Sequence, residues 1–313
     1  LKRATAALNG EDVALPMITS CSPGWIKYVE HEFPDLLPHL STCKSPHMML
    51  GALAKTYYAN RMGVDPADMY VMSVMPCTAK KFEITRPEMH INGMPTVDAV
   101  LTTRELGRMI KDAGIDFVKL PDADFDTPLG FSTGAADIFG ATGGVMEAAL
   151  RTVYEVVTGR EIPFEHLDVE PVRGLSQVKE ASVTIEGTLP EYAFLEGVTI
   201  RVAVTSGLAG AKKLMRQIAS GTSPYHFIEV MGCPGGCISG GGQPRPTNRA
   251  VREARMRAIY EEDAGKQTRK SHENPFVSQL YAEFLGEPLG HKSHELLHTH
   301  YTPRGRYGER MKH

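Results

Sequence analysis

The sequence predicts an α/β fold with partly parallel sheets, on three observations. Apolar stretches of strand type alternate with amphipathic stretches of helical period along most of the chain. Several of these strands run straight into turns rich in Gly, Pro or Ser, as strands do at the carboxyl edge of an open sheet. The 313 residues, 42% hydrophobic and 23% charged, are of ordinary globular composition. That length accommodates about two lobes.

The elements follow in order. "LKRATAALNGEDVALP" reads as the end of a helix and a linker into a strand, and the chain opens on Leu1 without a methionine, as a piece of something longer would. "VALPMITS" and "DMYVMSVMP" read as short buried strands, each delivered into a cysteine loop. "DAVLTTRELGRMIKDAGI" is a strand followed by a helix, with Thr102 and Glu105 spaced as a capping box and Gly114 placed to end it. "GATGGVMEAALRTVYEVVTG" is a glycine turn feeding an amphipathic helix that stops at Gly159. "GVTIRVAVTSGLAGAKKLMRQIASG" repeats strand then helix, and "YHFIEVMG" is a further strand ending in a cysteine loop.

Composition excludes several functions. A net charge of −3 argues against a nucleic-acid or anionic-membrane surface as the main business of the molecule, and the basic run "GAKKLMRQ" reads as a solvated helix face. No run approaches the roughly 18 apolar residues that a membrane span requires, and the first residues lack the layout of a signal peptide. Five cysteines, an odd number, make a disulfide framework improbable and fit a reducing compartment.

The surroundings of the cysteines carry the chemistry. They lie in "ITSCSPGW" (Cys21), "LSTCKSP" (Cys43), "VMPCTAKKFE" (Cys77) and "MGCPGGC" (Cys233, Cys237). Cys43, with no glycine or second thiol beside it, reads as a small buried hydrophobe. Cys233 and Cys237 flank Pro234, Gly235 and Gly236, which leave backbone N–H groups free and side-chain volume absent. Iron–sulfur clusters use that combination, thiolate ligands plus amides directed at the sulfides. A zinc site is the alternative, although structural zinc usually shows two close Cys/His pairs and only one is present.

Three of these segments carry a resemblance. "TSCSPGW" (19–25), "MPCTAKKFE" (75–83) and "EVMGCPGGCISGGGQP" (229–244) resemble, in order, the signature segments of the [FeFe]-hydrogenase catalytic domain. "STGAADIFGATGGVMEAALR" between the second and third is also similar to that family, and "KSHENPFVSQLYAEFLGEPLGHKSHELLHTHY" resembles its small-subunit segment, fused to the large one.

The resemblance implies two α/β lobes flanking a buried iron–sulfur site, with residues 1–250 forming an N-terminally truncated large-subunit domain and 251–313 a helical tail. It implies a [4Fe–4S] cubane joined through a shared thiolate to a two-iron unit bearing CO, cyanide and a dithiolate bridge. Cys77, Cys233 and Cys237 match cubane ligands, Cys237 being the shared one, and Lys80 matches the lysine that hydrogen-bonds a cyanide. Met75, Pro76, Phe139, Gly140 and Met231 match positions packed around the two-iron unit. The activity implied is interconversion of H2 with protons and electrons, with Cys21 passing the proton outward toward Ser41. Electrons would come from a ferredoxin-like or NAD(P)H-linked domain or subunit, the cofactor from dedicated maturation proteins, and the fused tail is more typical of cytoplasmic members. The alternatives are a non-catalytic relative of the cytosolic iron–sulfur assembly type, or a sensory hydrogenase.

The chain departs from the family pattern where two adjacent cysteines are usual. The pair is Cys21-Ser22, so Ser22 stands where the fourth cubane ligand belongs, and that ligand is open between Ser22 and Cys21. A serine oxygen suits iron less well than sulfur does. Gly232, where alanine is common, is expected to enlarge the space near the cluster slightly.

Overall fold

The computed structural model describes residues 1–8 and 10–305; the last eight residues of the expected tail lie outside the described residues. Six strands are described, β1 (Met17–Ile18), β2 (Met72–Met75), β3 (Ala99–Thr102), β4 (Val178–Thr184), β5 (Thr199–Ser206) and β6 (Phe227–Met231). They form a four-stranded sheet of order β1-β6-β5-β4 and a two-stranded sheet β2-β3. β1, β6 and β5 are mutually parallel, β4 runs antiparallel to β5, and β2 is parallel to β3. The mixed α/β class expected from the sequence is the class observed.

The larger sheet is covered on both faces because side chains alternate along each strand. Val202 and Val204 of β5 pack with Met146, Leu150 and Tyr154 of helix Gly144–Thr158. Ala203 points the other way, into a cluster with Ile228 and Val230 of β6, Trp25 of helix Pro23–Glu32 and Leu214 of helix Leu208–Ala219. Lys212, Lys213 and Arg216 of that last helix are exposed, as the basic run predicts. Helix Gly144–Thr158 stops at Gly159, whose φ of 66° is the left-handed conformation that a C-cap glycine supplies. Helix Thr103–Asp112 opens on the expected capping box between Thr102 and Glu105.

Two strand readings need correction. β2 is not buried: Met72 and Val74 are 44% and 41% exposed, while Val71 and Met75 pack inward against Met48 and Val100. A pair of strands has one inward face, so alternate residues of an apolar run go to solvent. β4 was not expected at all. Its sequence "VKEASVT" puts Lys179 on the inner face, which breaks the apolar alternation that marks a strand.

The C-terminal stretch is mainly helical and packs on helices and loops of the preceding chain. Helix Arg249–Gly265 sets Met256, Ile259 and Tyr260 against Ala135, Ile138, Ala141 and Ile238. Leu285, Leu296 and Leu297 pack on Leu53. Arg151, fully buried, bonds Glu147 at 2.6 Å and Asp263 at 2.9 Å, and so ties helix Gly144–Thr158 to helix Arg249–Gly265.

Breaking that pair leaves a buried guanidinium partly uncompensated. Asp263→Ala should lower stability by about 3–5 kcal/mol, whereas Arg249→Ala, on the exposed side of the same helix, should change it by less than about 0.5 kcal/mol. Urea midpoints of the two variants check the contrast.

Candidate functional site

Three loops leave parallel strands and meet. The first follows β1 and is pinned to β6: the Val230 amide donates to Thr19 Oγ1 at 3.0 Å, and Trp25 Nε1 donates to the Thr19 carbonyl at 3.0 Å. It carries Cys21 and Ser22. The second follows β2 and carries Cys77 and Lys80, and the third follows β6 and carries Cys233 and Cys237. Backbone packs on backbone between them. The Gly242 amide donates to the Pro76 carbonyl at 2.9 Å, and a Cβ on Gly240 would fall 2.0 Å from that same oxygen. Gly236, at φ 95°, lies against the passage from Gly140 to Thr142, where a Cβ would meet the Thr142 nitrogen at 2.8 Å.

The thiols of Cys77, Cys233 and Cys237 lie within electrostatic reach of one another. Burial pushes the Cys237 thiol up to about 11, with Cys77, Cys233 and Glu229 adding to the rise and Lys80 opposing it. Cys233 is raised by burial and by Cys77, against the Gly241 amide that donates to it. Cys21 is pushed up to about 12 by burial; Lys80 opposes, while Cys237, Glu229 and Glu83 add to the rise. The structure therefore brings the four cysteines of the signature segments to one place. Cys43 is elsewhere and, against expectation, exposed. Its backbone pairs with His298 and its carbonyl takes the Ser20 hydroxyl at 2.8 Å; these contacts fix the main chain and leave the side chain outside the core.

Lys80 is buried and donates to the Cys21 carbonyl at 2.8 Å and to Glu83 Oε2 at 2.8 Å. Ser22 turns its hydroxyl to the third loop, where it accepts the Gly232 amide at 3.2 Å. A Cβ on Gly232 would lie 2.6 Å from that oxygen, so the space vacated by the missing methyl is occupied by Ser22 and is not an enlargement of the site. Ser41 accepts the Cys43 amide at 3.3 Å through its hydroxyl and the Tyr301 hydroxyl at 2.6 Å through its carbonyl; no hydrogen bond to Cys21 occurs among the described residues. Met231 is buried at the end of β6, Met75 ends β2 just before Pro76, and Gly140 touches Ile259. Phe139 packs with Ile138 and Ile259.

Two charged residues at the site escaped the sequence reading. Glu229, fully buried on β6, accepts the amides of Gly143 at 2.6 Å and Met146 at 2.7 Å, the orphan donors that open helix Gly144–Thr158. Burial raises it to about 7 in spite of those bonds. Lys179 of β4 is lowered to about 8 by burial and donates to the carbonyls of Thr142, Val172 and Gly174. The available signal was alternation: in "FIEVM", Glu229 falls on the face opposite Ile228 and Val230.

This donor set fits an iron–sulfur cofactor. It offers several thiols, glycine loops with no side-chain volume, a Gly241 amide directed at Cys233, the buried Lys80 ammonium, and the unpartnered buried hydroxyls of Thr142 and Ser239 in the flanking loops. Among the described residues no three His, Cys, Asp or Glu side chains converge tightly enough for a single ion.

Comparison with known proteins agrees with the geometry. Residues 3–241 match the family "Iron only hydrogenase large subunit, C-terminal domain", and residues 249–304 match "Iron hydrogenase small subunit". The NADP-reducing hydrogenase subunit HndD of Solidesulfovibrio fructosivorans is 51% identical over 296 residues, covering 94% of this chain and 48% of the relative. [FeFe]-hydrogenase HydA1 of Chlamydomonas reinhardtii superposes with a TM-score of 0.84 at 44% identity, covering 97% of this chain and 80% of that one. Cytosolic iron-sulfur assembly component 3 of Rattus norvegicus is 33% identical over 92% of this chain and 59% of its own. The chain spans about half the length of the hydrogenases among the curated relatives it matches. Its loops, its cysteines and both matched segments place it in one family: the chain belongs to the iron-only hydrogenases.

Proposed function

We propose that this chain is the catalytic part of a hydrogenase that interconverts H2 with two protons and two electrons. The observation that carries the reading is the convergence of Cys77, Cys233 and Cys237 with Cys21 and the buried Lys80 where three strand-end loops meet. Cys77, Cys233 and Cys237 would hold a [4Fe–4S] cubane, with Cys237 shared with a two-iron unit. When bound, that unit, with its CO, cyanide and dithiolate ligands, supplies the redox chemistry on hydrogen.

The residues of the chain then have separable tasks. Lys80, held by Glu83 and the Cys21 carbonyl, presents an ammonium that can donate a charge-assisted bond to a cyanide. Met75, Pro76, Phe139, Gly140 and Met231 pack around the unit and keep bulk water out. Cys21 holds and moves a proton at Sγ: its electrostatic neighbours are Lys80 and Cys237, which sets it on the side of the shared thiolate. Ser22, beside Gly232, is the candidate for the fourth cubane corner. Ser41 remains the candidate carrier beyond Cys21; the two share no direct hydrogen bond among the described residues, so a further group would stand between them.

Electrons would reach the cubane from a ferredoxin-like or NAD(P)H-linked domain or subunit, a choice favoured by the name of the NADP-reducing relative. Dedicated maturation proteins would deliver the two-iron unit. Among the described residues no helix is long and apolar enough to cross a membrane. We place the protein in the cytoplasm on a different ground, the small-subunit-like segment fused to the large one. Residues 1–250 would form the cluster-bearing domain and the remainder a small-subunit-like tail, in keeping with the two matched segments.

Infrared spectra of protein matured with its cofactor test the reading: bands of metal-bound CO and cyanide are expected, and their absence would favour a relative of the assembly type. Cys237→Ser should abolish those bands, because a hard oxygen replaces the bridging sulfur. Cys21→Ala should keep iron content and CO bands while turnover falls roughly 10²–10⁴-fold, the usual cost of removing a positioned acid–base group. Iron loss in that variant would make Cys21 the fourth ligand instead. Before cofactor loading, at pH 8, iodoacetamide should label exposed Cys43 well ahead of Cys21 and Cys237. The thiolate is the nucleophile, and thiols raised to about 12 and about 11 stay protonated at that pH. Mass spectrometry of the peptides reads the order.

A further inference from the structure

One buried side chain next to Lys80 has no part in the scheme above. His47, at the start of helix Pro46–Leu53, is 6% exposed. Its Nε2 lies 2.6 Å from Glu83 Oε2 and its Nδ1 lies 3.0 Å from the Ser73 hydroxyl. The same Glu83 oxygen also takes the Ser45 hydroxyl at 2.9 Å and the Lys80 ammonium at 2.8 Å. Three donors therefore share one carboxylate atom.

A carboxylate oxygen of this kind only accepts, so the His47 hydrogen sits on Nε2, and the neutral ring accepts the Ser73 hydroxyl at Nδ1; this tautomer is assigned from the partners. Burial and the Lys80 charge lower the pKa of His47, and Glu83 opposes them. In the neutral state the cluster contains one cation and one anion. A proton added at Nδ1, with the Ser73 hydroxyl turning to accept it, gives two cations competing for a single carboxylate. The grip of Glu83 on Lys80 then weakens, and the ammonium is freer to donate to an anion on the side where Cys21 lies. The other titratable groups facing this cluster are the Cys21 thiol, which feels both Lys80 and Glu83, the Tyr301 hydroxyl, which feels Glu83, and Cys43, Lys44 and Arg86, which line the same cavity; Lys44 donates to the Leu296 carbonyl at 3.0 Å. Arg86 is engaged by Glu30 and Glu88.

We propose that His47 is a positioning residue, setting through Glu83 how firmly the Lys80 ammonium is held and so tying to pH its contact with an anionic ligand of the site. The second half rests on the reading of Lys80 as the cyanide donor; the coupling of His47 to Lys80 does not. Both are tested on the full chain.

Imidazole resonances of His47 in the apoprotein, followed by nitrogen-15 NMR, should show the Nε2–H tautomer at neutral pH and a titration that moves upward in Lys80→Gln. An unmoved titration overturns the coupling. In the loaded protein the cyanide infrared bands should shift as pH falls through the His47 transition, and His47→Gln, which can still donate to Glu83 but takes up no proton, should abolish that shift. The same pH dependence in both proteins overturns the proposal. Loaded protein without cyanide bands overturns the donor reading of Lys80 and the ligand half with it, and the apoprotein titration then decides the coupling alone.

Discussion

The carbonyl oxygen of Pro76 is the point on which the site depends. It accepts the Gly242 amide at 2.9 Å and leaves no room for a Cβ on Gly240. This crossing fixes the loop after β2 against the loop after β6, and with it Cys77 against Cys233 and Cys237, one residue and a few residues away in sequence. A second crossing, of Gly236 on Thr142, brings the start of helix Gly144–Thr158 to the same place. Had either glycine carried a side chain, the loops would stand apart and the thiols with them. Glycine is costly in backbone entropy, and the chain accepts that cost where main chains must touch.

Charge arranges the surroundings of this crossing. Two buried carboxylates and two buried lysines lie within its vicinity, each matched to main-chain or side-chain partners. Glu229 holds helix amides and Lys179 holds carbonyls, so both stabilise backbone near Thr142. Lys80 and Glu83 form the pair that faces Cys21. The thiols are raised because they sit in low-dielectric surroundings with one opposing cation. If these thiols bind iron as proposed, they would do so as thiolates, and loading would release protons into a site that disfavours isolated negative charge. Lys80 is the cation that opposes the rise of both Cys21 and Cys237, and its two partners, the Cys21 carbonyl and Glu83, hold it beside them.

Much of this was legible in the chain because it was local. The capping box at Thr102 and Glu105, the stop at Gly159 and the strand-to-loop sequence before Cys233 are all written within a few residues, and the structure has each of them. The class of fold followed from their alternation. β4 was not legible, since Lys179 reads as a surface residue until Glu229 and the carbonyls around Thr142 are brought to it from distant parts of the chain. The exposure of β2 was hidden for the complementary reason: an apolar run does not reveal how many strands lie beside it. Cys43 read as core because nothing in its neighbours marks it for the surface, and its exposure emerges only once its main chain is docked on His298 and Ser20 from other parts of the chain. The roles of Ser41 and His47 depend on hydrogen bonds between segments, which spacing does not encode.

The Cys21-Ser22 departure and the glycine at 232 are one feature seen from two sides. Ser22 Oγ accepts the Gly232 amide and occupies the volume that a methyl there would need. An alanine at 232 would press on that hydroxyl at 2.6 Å and force the serine rotamer to change. The two positions therefore constrain each other, and a serine directed at the amide has one lone pair engaged already. A hydroxyl in that position is a weaker ligand to iron than a free thiolate on two counts, its hardness and its existing bond. If Ser22, and not Cys21, supplies the proposed fourth ligand, that corner would be the least firmly held. The loops of Cys77, Cys233 and Cys237, by contrast, are set against one another by main-chain contacts, Gly242 on Pro76 and Gly236 on Thr142, so under that reading the three thiol corners would be the firmer ones.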